Sequence, residues 1–97
     1  MSTLHVLSHS PFTDGRFSSC LRLLGAADGV LLCGDAVHAL QPGTAPCNAL
    51  QALNSPRFVL LEDAQARAVE LPAWITGVDY PGFVQLSIAH DKVSTWL

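Results

Sequence analysis

Two short runs of almost purely apolar residues limit the folds available to this chain. Residues 30–33 (Val, Leu, Leu, Cys) and 58–61 (Phe, Val, Leu, Leu) have strand length and no charged side chain. Continuous apolar runs are typical of strands covered on both faces, as in parallel sheets. Helix-forming segments separate them. We therefore expect an α/β fold: a small single-domain layered structure over residues 1–97, with a mostly parallel four- to five-stranded sheet and helices on both faces.

Local signals predict the remaining elements. Strands are expected over residues 3–8 and 92–97, with a short one near 74–75, and helices over about 13–24, 36–40, 47–53 and 62–69. Residues 80–90 conflict, because Val84, Leu86 and Ile88 alternate as in a strand. Asp79 as N-cap and Pro81 in the first turn favour a helix instead. We predict the helix, partly on the family resemblance given below.

Composition excludes some classes of function. Charged residues make up 13% of the 97 residues, about half the usual ~25%, which predicts an oligomer whose subunits cover apolar surface. The net charge is −3 and the five basic residues are scattered, which argues against direct nucleic-acid binding. No apolar run approaches the ~20 residues of a membrane span. The N-terminus lacks secretory features, and three widely spaced cysteines favour a reduced cytoplasmic protein.

Cofactor and metal motifs are absent from the sequence. It has no G-x-G-x-x-G, Walker A or G-x-S-x-G pattern, so no cofactor is expected. The histidines and cysteines lack metal-ligand spacing. Asp35 follows a strand at the end where α/β sheets bind ligands, but its favoured role is N-cap of the next helix. We expect His5 to be a satisfied near-core residue and His90 to contact the last carbonyls of the preceding helix.

The three cysteines differ in context. Cys33 ends an apolar strand and is expected to be buried, whereas Cys47 lies at a loop-to-helix junction and could be exposed. Cys20 shares a helical stripe with Phe17, which favours a small buried hydrophobe. A position at the edge of that stripe would instead allow a sulfur carrier, with Arg16 one turn earlier favouring the thiolate. Both interpretations of Cys20 stay open.

Six segments, in order and spacing, resemble the TusB/DsrH family of sulfur-relay subunits. They cover nearly the whole chain, and the last block is the most distinctive. The segments are Leu4-His5-x-Leu7 with Ser10-Pro11-Phe12, residues 20–24, residues 28–32 with 34–37, Glu62-Asp63 with Ala66-Arg67, residues 79–86, and His90-Asp91-Lys92-Val93 with Trp96.

The resemblance implies a subunit that assembles with TusC-like and TusD-like chains into a heterohexamer with two copies of each. Such a complex passes persulfide sulfur to a TusE- or DsrC-like acceptor, for 2-thiouridine at the tRNA wobble position or for sulfur oxidation. The principal persulfide cysteine belongs to the TusD/DsrE subunit, which implies an accessory, mainly scaffolding role here. Cys20 matches a cysteine of DsrH-type members and is therefore the candidate persulfide carrier.

Three alternatives follow from these observations. The chain could be a DsrH-like sulfur-oxidation subunit in which Cys20 carries sulfur. It could be a small-molecule-binding α/β domain that uses the strand ends near Asp35. Self-association of the isolated chain into a homo-oligomer also stays open.

Overall fold

The computed structural model describes residues 2–96. Over this part of the chain five strands form one sheet in the order β4-β3-β2-β1-β5, and the neighbouring strands are parallel. The predicted α/β class with a parallel sheet is confirmed. The strands are β1 (Thr3–Leu7), β2 (Gly29–Leu32), β3 (Arg57–Leu60), β4 (Thr76–Val78) and β5 (Lys92–Trp96). The helices are α1 (Arg16–Arg22), a 3₁₀ helix (Gly34–Leu40), α2 (Ala45–Gln51), α3 (Leu61–Ala66) and α4 (Tyr80–Ala89).

The strand order distributes the helices unequally between the two faces. Three successive connections, from β1 to β4, step across the sheet in one direction, and the last connection returns past β1 to β5. Because parallel crossovers are right-handed, helices on outward and return steps lie on opposite faces. The larger apolar cluster contains residues of α1, the 3₁₀ helix, α2 and α3. The smaller one contains Leu4, Val6 and Leu31, covered by Phe83 and Leu86 of α4.

Side chains on β1 divide between these two clusters with the expected period of two. Leu4 and Val6 belong to the α4 side, whereas Leu7 belongs to the opposite side. His5 lies between Leu4 and Val6 and therefore faces the side of α1. On that face it lies beside Val30 of β2 and Ser94 of β5. Strand β1 thus presents its one buried polar side chain, His5, to the larger cluster.

Several predicted boundaries shift by a few residues. Helix α1 begins at Arg16, later than predicted, because Asp14 accepts a hydrogen bond from the Arg16 N–H (2.7 Å) ahead of the first turn. β4 begins at Thr76, beyond the strand predicted near Trp74 and Ile75. The predicted last strand is present as Lys92–Trp96, and Leu97 lies outside the described residues.

The expectation that Asp35 caps the following helix was wrong. The N-cap position is Cys33, and Asp35 lies inside the first turn without capping it. Gly34, with a φ of +51°, turns the chain directly from β2 into the 3₁₀ helix. Its N–H donates to Asp63 Oδ2 (2.8 Å), so a carboxylate from α3 satisfies the group that a local cap would otherwise serve.

The conflict over residues 80–90 resolves as the predicted helix. Asp79 is the N-cap, with its Oδ1 accepting the Gly82 N–H (2.8 Å), and Pro81 occupies the first turn. The helix ends at Ala89, and Nδ1 of the C-cap residue His90 lies 2.7 Å from the Leu86 carbonyl oxygen, as expected for this histidine. None of the helices in residues 2–96 has the length and apolar character needed to cross a membrane.

Replacing the N-cap tests how far α4 depends on it. Asp79→Ala should lower the free energy of unfolding by about 1 kcal/mol, because the Gly82 N–H loses its acceptor. Asp79→Asn keeps a capping oxygen and should cost only a fraction of that. Urea unfolding followed by circular dichroism measures both. Equal losses in the two variants would show that the side-chain cap does not stabilise this helix.

Candidate functional site

Cys20 lies on the inner face of α1, in the larger apolar cluster. Phe17 and Cys20 are the buried residues of this helix, one turn apart, and Cys20 is 0% exposed. Leu21 and Leu24 pack against the same cluster while partly exposed. The predicted stripe therefore exists, and Cys20 stands at its centre rather than at its edge.

The surroundings of Cys20 favour the neutral thiol. Burial, and then the negative charge of Asp28, raise its pKa to about 12. Arg16, placed by sequence one turn earlier, pairs with the carboxylate of Asp14. In this conformation the thiol therefore lacks both the access and the ionisation that sulfur transfer requires. Its role as a persulfide carrier stays a prediction.

A polar cluster lies on the same side of the sheet. His5, which is 7% exposed, has its Nε2 3.1 Å from Asp28 Oδ2. Trp96 Nε1 donates to His5 Nδ1 (3.1 Å). Since an indole nitrogen only donates, His5 Nδ1 must be the acceptor, and the ring proton sits on Nε2, facing Asp28. The near-core, satisfied role expected of His5 is confirmed.

Asp28 joins this cluster to the backbone. Its Oδ1 accepts the Thr3 N–H and its Oδ2 accepts the Gly25 N–H, each at 2.9 Å. The pKa of this carboxyl group is lowered, chiefly by the Gly25 hydrogen bond, with further contributions from His5 and Thr3. A single carboxylate therefore joins the loop after α1 to the start of β1. No local sequence pattern singles out Asp28, because two of its partners are separated from it along the chain by 23 (His5) and 25 (Thr3) residues.

A second thiol lies at the carboxyl end of the sheet. Cys33 is half-buried rather than fully buried as predicted, and its Sγ lies 3.5 Å from the Leu7 carbonyl oxygen. Burial raises the pKa of Cys33; Asp63 adds to the rise and Arg67 opposes it. Cys47, which the sequence left open to exposure, is buried.

The strand-end residue Asp35 lies at the surface of the protein. Asp35 is exposed and accepts a hydrogen bond from Arg67 Nε (3.1 Å). A cleft of about 340 Å³ lies between the 3₁₀ helix and the end of α3, lined by His38, Leu40 and Glu70 among others, and Asp35 does not border it. Within residues 2–96 no group of three or more His, Cys, Asp or Glu side chains could hold a metal ion.

The outer side of α4 carries three large apolar side chains and no charged one. Tyr80, Val84 and Ile88 follow one another at four-residue spacing and are 50%, 54% and 79% exposed. Residues 80–89 contain no Asp, Glu, Lys or Arg. We call Tyr80, Val84 and Ile88 the α4 stripe. A row of large apolar side chains on a helix without charges is typical of a protein–protein interface.

Comparison with known proteins identifies the family. Residues 9–93 match the family model described as DsrH-like protein. The chain belongs to the DsrH-like family. It is 39% identical to Protein TusB of Erwinia tasmaniensis over 95 residues, which cover 96% of this chain and 99% of that protein. It is 34% identical over 96 residues to Protein TusB of Escherichia coli O139:H28, with 96% and 99% coverage.

A solved structure shares the fold of this DsrH-like chain. The crystal structure of the YchN protein from E. coli superposes with a TM-score of 0.79, over 99% of this chain and 100% of that one. The two sequences are 20% identical, so this likeness concerns the fold alone. The family resemblance drawn from the six sequence segments is confirmed by the family match and the TusB relatives.

The polar cluster gives a prediction about stability and pH. Asp28→Asn should lower the free energy of unfolding at pH 7 by roughly 1–3 kcal/mol, because charged hydrogen bonds to Thr3, Gly25 and His5 are lost. A carboxyl group with a lowered folded pKa stabilises above its unfolded pKa of about 3.9 and stops doing so as pH falls through the folded value. The difference from wild type should therefore shrink below about pH 4.

Urea titrations at several pH values measure that difference, and Asp35→Asn is the control. The exposed Asp35–Arg67 pair should contribute less than about 1 kcal/mol. A loss of unfolding free energy in Asp28→Asn that equals the loss in the control, or that stays constant down to pH 3, would show that the ionised Asp28 carboxylate does not stabilise the fold.

The thiols should differ in reactivity. At pH 8, iodoacetamide should modify Cys33 at least roughly tenfold faster than Cys20, since Cys20 is fully buried and its pKa is raised to about 12. Peptide mass mapping after timed alkylation measures both rates, and denatured protein is the control in which the rates converge. Faster modification of Cys20 in the folded protein would show that α1 opens readily.

Proposed function

We propose that this chain is a scaffold and docking subunit of a heterohexameric sulfurtransferase complex of the TusBCD/DsrEFH type. The complex relays persulfide sulfur, for 2-thiouridine formation at the tRNA wobble position. Its partners are TusC-like and TusD-like chains, with two copies of each of the three subunits, in the cytoplasm. Membership of the DsrH-like family and the TusB relatives, aligned over nearly the whole chain, support this assignment.

The observation that carries the docking role is the α4 stripe. Three large side chains, each at least half exposed, lie in one row on a helix without charge. Burial of apolar surface is worth about 25 cal/mol per Å², so covering such a row contributes several kcal/mol to association. An exposed row of this kind is costly for a monomer and useful for a subunit.

The scaffold role also agrees with the state of Cys20. An initial acceptor of persulfide sulfur needs an accessible thiolate, whereas Cys20 is 0% exposed with its pKa raised to about 12. Under this proposal the TusD-like chain carries the sulfur and passes it to a TusE-like acceptor. Cys20 then packs α1 against the sheet, and this chain is an accessory rather than a catalytic subunit.

Nucleic acid would be held elsewhere in the pathway. Three of the five basic side chains are engaged within the chain: Arg16 with Asp14, Arg67 with Asp35, and Arg57 with the carbonyls of Leu50 and Gln51. Phosphate contacts normally require several available Lys or Arg side chains. This supports an indirect connection to tRNA, through the acceptor and the enzyme it serves.

A second candidate is a DsrH-like subunit of a sulfur-oxidation relay, with Cys20 as a persulfide carrier and a DsrC-like acceptor. The observation in its favour is the match of residues 9–93, which include Cys20, to the DsrH-like family model. This version requires a rearrangement that exposes Cys20. Burial of the thiol in the present conformation is why we place it second.

Co-purification tests the docking role. Wild-type chain co-expressed with tagged TusC-like and TusD-like subunits should elute as one complex of six chains. Val84→Asp combined with Ile88→Asp should reduce the recovered complex at least roughly tenfold, since two charges would be buried in an apolar contact. Leu23→Asp, at a 67% exposed apolar position on another surface, is the matched control and should assemble normally. Wild-type chain that purifies apart from both partners would overturn the proposal.

Intact-mass spectrometry separates the two candidates. The complex is loaded through a cysteine desulfurase relay, and each chain is weighed. A gain of one sulfur on the TusD-like chain alone supports the scaffold role. A gain on this chain that disappears in Cys20→Ala, but not in Cys47→Ala, establishes Cys20 as a carrier. Alanine is chosen because it leaves no unpaired hydroxyl at either buried site.

A further inference from the structure

The hydrogen bonds of His5 join three distant parts of the chain. His5 stands on β1, Asp28 lies just before β2, and Trp96 is the last residue of β5. Each belongs to a different segment of those that resemble the TusB/DsrH family. Their rings and carboxylate meet through two contacts of 3.1 Å, and the His5 and Trp96 ring centroids are 6.1 Å apart. We call these three residues the His5 cluster.

Only one protonation state of His5 satisfies both contacts. Trp96 Nε1 can only donate, so His5 Nδ1 has to accept and must carry no proton. The single ring proton then lies on Nε2, directed at the Asp28 carboxylate. A second proton, taken from solvent, would bind at Nδ1 and set two N–H groups against each other.

The groups around His5 determine which contact a second ring proton would break. Asp28 is the charged group that contacts the ring, and it holds an imidazolium through Nε2 as well as it holds the neutral ring. On the same face the neighbouring strands present uncharged Val30 and Ser94. From α1, Cys20 lies close enough for the Asp28 charge to affect its thiol. Protonation therefore keeps the contact with Asp28 and removes the contact with Trp96.

We propose that the His5 cluster is a proton-sensitive latch, in which protonation of His5 releases the Trp96 indole and loosens the end of β5. Histidine is the side chain whose ordinary titration falls between pH 5 and 8. Trp96 ends an edge strand paired on one side with β1, so its side chain can leave without disrupting the rest of the sheet. The released indole would leave the apolar cluster that also contains Cys20. This inference does not depend on the sulfur-relay proposal.

Indole N–H signals in ¹H–¹⁵N spectra of the full chain provide the test, because the sequence has two tryptophans. Trp74 lies against Arg57, outside the His5 cluster, and is the internal reference. Between pH 8 and 5 the exchange rate of the Trp96 indole N–H with water, relative to Trp74, should rise roughly fivefold. That is the factor for losing a hydrogen bond of about 1 kcal/mol. The pH midpoint of this rise in exchange rate should coincide with the pH midpoint of the chemical-shift change of the His5 ring protons.

Variants separate the latch from a general effect of acid. His5→Asn replaces Nδ1 with an amide oxygen that can accept the Trp96 N–H and is not protonated in this pH range. This variant should abolish the pH dependence of the Trp96 signal. If this variant does not fold, Trp96→Phe removes the donor alone, and amide protection at the end of β5 should then become independent of pH. A Trp96-to-Trp74 ratio that stays constant down to pH 5 in folded wild-type protein would overturn the proposal. So would the same pH dependence in His5→Asn.

Discussion

One topological constraint decides how much of each face of the sheet is covered by helices. All crossovers between parallel strands turn the same way, so reversal of the strand order between β4 and β5 sends one helix to the face opposite the others. Within residues 2–96, α1, the 3₁₀ helix, α2 and α3 build the larger cluster, and α4 alone serves the second face. A ten-residue helix is about 15 Å long and 10 Å wide, which is less than the breadth of five strands.

This asymmetry separates the two candidate activities of the chain in space. The larger cluster encloses Cys20, where burial and the Asp28 carboxylate favour the neutral thiol, and it lies against the His5 cluster. The second face presents the α4 stripe, whose large side chains reach solvent on a helix without Asp, Glu, Lys or Arg. Chemistry on one side and docking on the other therefore make different demands on the same sheet. In the present conformation the α4 stripe is exposed, whereas sulfur transfer at Cys20 would require a rearrangement that exposes the thiol.

Much of the fold followed from local sequence signals, and the site did not. Continuous apolar runs located β2 and β3, and Asp79 with Pro81 located α4, because these signals depend on neighbours a few residues apart. Asp35 was misjudged because the acceptor for the Gly34 N–H comes from Asp63, 29 residues later. The contact between His5 and Trp96 spans 91 residues. Spacing could place His5 near the core but could not reveal which partners satisfied it.

The burial of the cysteines and the raised pKa values of Cys20 and Cys33 bear on the proposed role of this chain in a sulfur relay. Persulfide sulfur moves by exchange between thiols, so an additional accessible thiolate in the complex would divert it. Cys20 and Cys47 are packed inside this chain, and burial raises the pKa of the half-buried Cys33. Asp63 beside Cys33 and Asp28 beside Cys20 each oppose ionisation of the neighbouring thiol. Under the proposed scaffold role, this arrangement keeps the thiols of this chain from competing for the relayed sulfur.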